Sequence, residues 1–253
     1  MNNRHILSGS VSLFLLAAVS TGNAADPQVA DGSWKGDVEL GIVTTTGNTE
    51  TETINAKAKA VTEREKWRHT VSLESLNTSN GGDTTAERYV VNGQSDYKFG
   101  EHNYFFVMIN YENARFSGYD YRVSEALGYG RRVVAKTALT LDLEIGPGAR
   151  QSKLDSAARQ SKPDSDGSED EFTLRGAAKL AWKISDTSTF TTDLSVDAGE
   201  DTTVTKSVTA LTAQINGSLA TKITYTIKNT SDVPTNDIEK TDTETAVTLV
   251  YSF

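Results

Sequence analysis

Acid–base or nucleophilic chemistry in this chain would have to begin from its three histidines, His5, His69 and His102. A hydrolase needs an imidazole beside a nucleophile, with a third polar group holding the imidazole in place. The chain has no cysteine. That excludes a thiol nucleophile, a disulfide framework, thiolate-bound zinc and a lipid-modified N-terminal cysteine. His5 falls in an apparent export signal, His69 shares the apolar face of its strand with Trp67 and Val71, and His102 sits in a short turn. No catalytic set, no cofactor and no enzyme activity are expected from them. The run Lys162-Pro163-Asp164-Ser165-Asp166-Gly167-Ser168-Glu169-Asp170 offers hard oxygen ligands around a glycine. A calcium loop of the EF type needs an acid first and a bidentate glutamate twelfth, where this stretch has Lys162 and Thr173. It reads as a solvated loop, with at most a loose attraction for divalent cations, and no metal site is expected.

A larger set of charges carries more information. Lys35, Asp37, Glu39, Lys57, Lys59, Arg68, Glu74, Arg88, Asp96, Glu112, Arg122, Asp142, Glu144, Arg175, Lys179, Asp193, Asp197, Lys222 and Lys228 share one parity of alternating segments. The opposite parity is mainly apolar. Trp34, Val38, Leu40 and Ile42 alternate with Lys35, Asp37 and Glu39, and Leu139, Leu141, Leu143 and Ile145 with Thr140, Asp142 and Glu144. Strands place such sets on opposite faces. The pattern recurs through roughly twelve segments of about ten to thirteen residues, longer than the ~5 to 6 of soluble sandwich strands and sufficient for membrane strands of ~9 to 11.

The expected fold is therefore all-β: a single transmembrane antiparallel β-barrel of roughly twelve strands, spanning 34–253 after a short polar lead-in at 25–33. A barrel keeps charges off lipid and in its lumen. Lys35, Glu39, Lys57, Lys59, Arg68, Arg88, Glu112, Arg122, Asp142, Glu144, Arg175 and Lys179 are the lumen-lining candidates. They would form a narrow porin-like channel for small polar solutes or ions, or alternatively fill a non-conducting lumen with ion pairs. Glu144 and Arg175, on consecutive strands, are expected to be neighbours on the inner wall.

Connections and aromatic residues set the ends. Glu63–Lys66, Gly100–His102, Ala135–Lys136, Ser185–Thr187 and Gly217–Ser218 read as short periplasmic turns. Asn77–Thr85, Gln151–Ser168 and Thr230–Lys240 read as longer extracellular loops, with Gly47-Asn48 and Gly199–Asp201 as short connections on the same rim. Trp34, Trp67, Trp182, Tyr251 and Phe253 mark one aromatic girdle, with Tyr97, Phe99, Tyr104, Phe105 and Phe190 beside them. Tyr89, Tyr111, Phe116, Tyr119, Tyr121 and Phe172 mark the other.

Residues 1–24 carry Arg4, an apolar stretch from Val11 to Val19 and the small residues Gly22 and Ala24. That is the pattern of a signal peptide cleaved after Ala24. The apolar stretch is well short of the ~20 residues a spanning helix requires. Among the 253 residues, 34 acidic against 25 basic give a net charge of -9, which disfavours nucleic acid as a partner. The mean hydropathy of -0.42 is compatible with a barrel, whose alternating strands average out.

The opening Trp34-Lys35-Gly36-Asp37-Val38-Glu39-Leu40-Gly41, the turn Thr46-Gly47-Asn48-Thr49 and the terminal Tyr251-Ser252-Phe253 resemble the YdiY-like family, a family of unknown function described as salt-induced outer membrane proteins. The resemblance covers essentially the whole chain after residue 24. It implies a β-barrel in the outer membrane of a Gram-negative bacterium, with stress-response expression and no assigned catalytic residues. The implied partners are outer-membrane lipid and lipopolysaccharide, and the barrel assembly machinery acting through the C-terminal strand. Oligomeric state is left open.

Overall fold

The computed structural model describes residues 32–45, 51–115, 117–161, 167–235 and 238–253. The strands are β1 (Trp34–Thr45), β2 (Thr51–Glu63), β3 (Trp67–Asn80), β4 (Asp83–Lys98), β5 (Asn103–Arg115) and β6 (Tyr119–Lys136). They continue with β7 (Leu139–Leu154), β8 (Ser168–Lys183), β9 (Ser188–Gly199), β10 (Thr203–Gln214), β11 (Leu219–Thr230) and β12 (Thr241–Ser252), and a one-turn helix α1 (Ser156–Ser161) lies between β7 and β8. Each strand pairs antiparallel with its sequence neighbours, and β12 pairs with β1 to close a twelve-stranded barrel. Closure pairs every strand on both sides, so the described sheet leaves no edge to be hydrogen-bonded by lipid, which cannot do it.

The alternation resolves into two walls. Val38, Leu40, Ile42, Val107, Ile109, Leu127, Ile145, Leu174, Ile223, Val247 and Leu249 are exposed on the outer wall. Opposite them, Glu39, Asp96, Asp142 and Glu144 are 2–7% exposed on the inner wall. Apolar exposure of this extent is expected where lipid, not water, is the solvent.

Several expectations are corrected. The strands run from 12 to 18 residues instead of ten to thirteen. The loop expected at Asn77–Thr85 is largely strand: β3 and β4 pair up to Asn80 and Asp83, leaving Gly81 and Gly82 as a two-residue turn at φ 59° and 89°. Glycine takes both left-handed positions without a Cβ clash. The turn placed at Ala135–Lys136 lies two residues later, at 137–138, since Lys136 pairs with Leu139. Strand pairing also continues into the expected loop 151–168, as far as Lys153 opposite Ser168. Tyr104 and Tyr119 do not belong to the girdles, being 4% and 8% exposed on the inside. Residues 1–31, Gly47-Asn48, Phe116 and most of the acidic run at 162–166 lie outside the described residues.

Candidate functional site: a charged lumen

Trp34, Trp67, Trp182, Tyr251 and Phe253 stand exposed on the outer wall near the short-turn end. Trp67 stacks on His69 at 5.7 Å and tilts against Tyr97 at 5.1 Å, while Phe99 stacks on Phe105 at 4.5 Å. Near the other end, Tyr111 stacks on Tyr121 at 6.2 Å. His69 is part of this outer belt, where its Nδ1 lies 2.9 Å from the Ser95 hydroxyl. Among the described residues, no group of three or more His, Asp or Glu side chains is placed to hold a metal ion.

Inside, most of the expected lumen residues fall into two networks, and a third assembly lies at the long-loop mouth. Toward the short-turn end, Arg68 on β3 donates to Asp96 at 2.6 Å, lies 5.1 Å from the Tyr104 ring centre, and reaches Asp142 on β7 at 3.7 Å. Asp142 also accepts from Arg132 at 2.7 and 2.9 Å. Glu144 accepts from Lys179 at 2.8 Å, Gln94 at 2.9 Å and Tyr104 at 3.0 Å, and Lys179 on β8 also donates to Gln94 on β4 at 3.0 Å. Behind this polar layer, Tyr104, Phe106, Met108 and Ala126 make an apolar cluster that the alternation on β5 had not revealed. Glu144 and Arg175 are not neighbours: Glu144 stands opposite Ala177, and Arg175 donates to Asp197 on β9 at 2.8 Å.

The second network crosses the barrel. Glu112 on β5 and Lys228 on β11 are six strands apart in a ring of twelve, and yet Lys228 Nζ donates to Glu112 Oε1 at 2.5 Å. Arg88 on β4 donates to Glu244 on β12 at 2.5 Å, and Asn55 on β2 donates to the same carboxylate at 2.8 Å. Lys57 lies 3.8 Å from Glu74 and Lys222 donates to Glu39 at 2.7 Å. Arg122 packs over Tyr119 at 4.2 Å. Opposite charges in contact across the axis cancel locally and hold side chains where a passing ion would have to go. Lys35, Lys59 and Asp193 differ in that they face inward and remain exposed.

The third assembly covers the long-loop mouth. Asp155 caps α1 by accepting from Ala158 N at 2.8 Å, and Leu154, Ala158 and Tyr119 pack together, Leu154 being fully buried. Arg150 is buried between Glu171 and the Thr202 carbonyl. From across the same rim, the β11–β12 connection reaches the β5–β6 turn: a Cβ on Gly118 would lie 2.6 Å from Ile238 Cδ1 and 3.0 Å from Pro234 Cγ. Asp155 N donates to the Gly118 carbonyl at 3.1 Å, which joins both coverings at one turn. Within the expected loops Gly167 and Pro234 are buried, while Ser168, Asp170, Ser231, Asp232, Glu239 and Lys240 stay exposed.

A closed antiparallel barrel with an apolar wall, aromatic belts and charges turned inward defines an outer-membrane β-barrel of porin-like fold. One solved structure agrees on fold alone: the NanC porin is similar at 14% identity over 85% of this chain and 98% of that one, with a TM-score of 0.52. An outer membrane channel from Pseudomonas putida F1 is 9% identical over 92% of this chain and 100% of its own, with a TM-score of 0.49. The chain belongs to the family described as "Protein of unknown function, DUF481", whose model matches residues 38–253. Its relative in Escherichia coli (strain K12), the uncharacterized protein YdiY, is 29% identical over 231 residues, 90% of this chain and 86% of that protein.

Proposed function

We propose that this protein is an outer-membrane barrel whose resting lumen is held shut by its own charges. The observation that carries the reading is the Glu112–Lys228 contact between diametrically opposite strands. The covered mouth supports it. The chain would be exported by the signal at 1–24, assembled through its C-terminal strand, and oriented with its short turns in the periplasm. A second reading, a narrow channel for small polar solutes or ions, is favoured by Lys35, Lys59 and Asp193, which are exposed inside and leave room for water. Single-channel recording in a planar bilayer separates the two. The closed reading expects wild type to insert without steady conductance, and Glu112→Gln to leak because Lys228 loses its ionic partner. Steady ohmic conductance from wild type would establish the channel reading instead.

A further inference from the structure

On the outer wall of β6, between Tyr121 and Tyr129, one residue breaks the apolar pattern. Glu125 lies four residues from Tyr121 and four from Tyr129, and so midway between the two aromatic belts, where the wall faces hydrocarbon. Its cross-strand partners are Ile109 and Ala149. It is exposed, and among the described residues it has no hydrogen-bond or ion-pair partner. An ionisable side chain at that depth is costly to leave unsatisfied, and the membrane offers it no water.

A second, independent irregularity lies elsewhere on the same wall. The outward residues of β10 above Leu211 are Thr209, Ser207 and Thr205, and they pair with Thr192, Leu194 and Val196 of β9. Thr192 and Thr209 share one hydrogen bond at 3.0 Å. The apolar members of this part of β10, Val204 and Val208, stand opposite Asp197 and Asp193 and therefore point inward. Hydroxyl groups thus replace the apolar wall at the depth where Glu125 stands.

We infer that these two places meet between copies of this chain: the Glu125 carboxyl of one protomer is hydrogen-bonded by the Ser207 and Thr205 hydroxyls of the next. Neither feature is satisfied by lipid, and each supplies what the other lacks, an acceptor against donors. Because β6 and β10 are four strands apart in the ring, the contact is head-to-tail and builds a ring or a row, not a two-fold pair. The inference does not depend on whether the lumen conducts.

The chain has no native cysteine, so engineered pairs report cleanly. Ile109→Cys and Ile227→Cys flank the two features on the same side of the contact and leave both intact, as Ile109 on β5 pairs with Glu125 and Ile227 on β11 with Ser207. Oxidation of the double variant in isolated outer membranes should give a ladder of dimer and higher species, while either single variant stays monomeric. Adding Glu125→Leu should reduce the ladder to the single-variant level, and adding Glu125→Gln, which still accepts a hydrogen bond, should retain it. Heat-modifiable mobility on gels checks that each variant folds. A dimer from Ile109→Cys alone would show a two-fold contact and overturn the proposal. So would a ladder insensitive to Glu125→Leu, or a folded double variant that never cross-links.

Discussion

The arc of wall from β3 to β8 and the arc from β9 through β12 to β2 are built differently. In the first, β3, β4, β6, β7 and β8 have 14 to 18 residues, whereas every strand of the second has 12 or 13. Both apolar clusters, all the aromatic pairs and every register shift belong to the first arc. The second sets the small buried residues Thr224, Thr226, Thr248, Ala210 and Ala220 between inward charges such as Glu39, Lys57, Lys222 and Lys228, and contains the closing seam, where only four residue pairs join β1 to β12. A barrel strand needs ~9 to 11 residues to cross the bilayer, so the extra length of the first arc is wall above the membrane that carries α1 and the mouth covering. One arc is a packed frame with large inward side chains. The other is a thinner wall, joined to the frame by Glu112–Lys228 and Arg88–Glu244.

If that contrast is real, truncating inward side chains should cost far more in the frame than in the thin wall. Phe106→Ala removes a ring 1% exposed and should destabilise by about 3 to 5 kcal/mol. Thr248→Ala removes a 3.4 Å contact to Glu39 and should cost under about 1.5 kcal/mol. Urea titration of the two variants in lipid vesicles checks the ratio, and equal losses would break the comparison.

The carboxylates give the next test. Asp142 takes two hydrogen bonds from Arg132 and lies near Arg68, so Asp142→Asn leaves a partly buried guanidinium short of its counter-charge and should cost about 1.5 to 3 kcal/mol. The alternation alone suggests a mild lumen substitution here; the two arginines make it severe. Asp37 in the thin wall accepts from Ser252, so Asp37→Asn should cost under about 1 kcal/mol. Midpoints from the same titration decide it.

Twelve strands and two walls were legible because lipid demands an apolar residue at every second position, and Leu139 to Ile145 obey that without exception. Where the wall leaves the bilayer, that demand ends. Asn77, Ser79 and Thr84 read as loop although backbone pairing continues through them. On β5, Tyr104 to Ile109 is apolar on both faces, so alternation could not separate the buried Phe106 from the exposed Phe105. The inward charges could be assigned to a wall but not to one another, since Glu112 and Lys228 are 116 residues apart and meet only once the ring closes. Glu144 and Arg175 were offset by the true register at the base of the 155–167 connection, which sets Gly146, not Glu144, opposite Arg175. Glu125 was readable from parity alone, as the one charged residue between Tyr121 and Tyr129 on the outward face of β6.

A small effect is also expected at the seam. Gly36 and Phe253 exchange backbone hydrogen bonds at 3.0 and 2.9 Å, extending a ladder that otherwise has four pairs. The Phe253 ring lies over Gly36, and a Cβ there would come 2.6 Å from its Cζ and 3.0 Å from the Lys59 carbonyl. The ring is the far end of a side chain exposed on the outer wall and can turn aside, while the carbonyl needs only a small shift. Gly36→Ala should therefore cost about 1 kcal/mol, the low end of overpacking, and Phe253→Ala about as much by removing the cover. Because both act through one contact, the double variant should cost less than the sum of the two single variants. Unfolding midpoints of the four proteins give the coupling directly. Strict additivity would mean that the ring does not close the seam, and that backbone pairing holds the thin wall by itself.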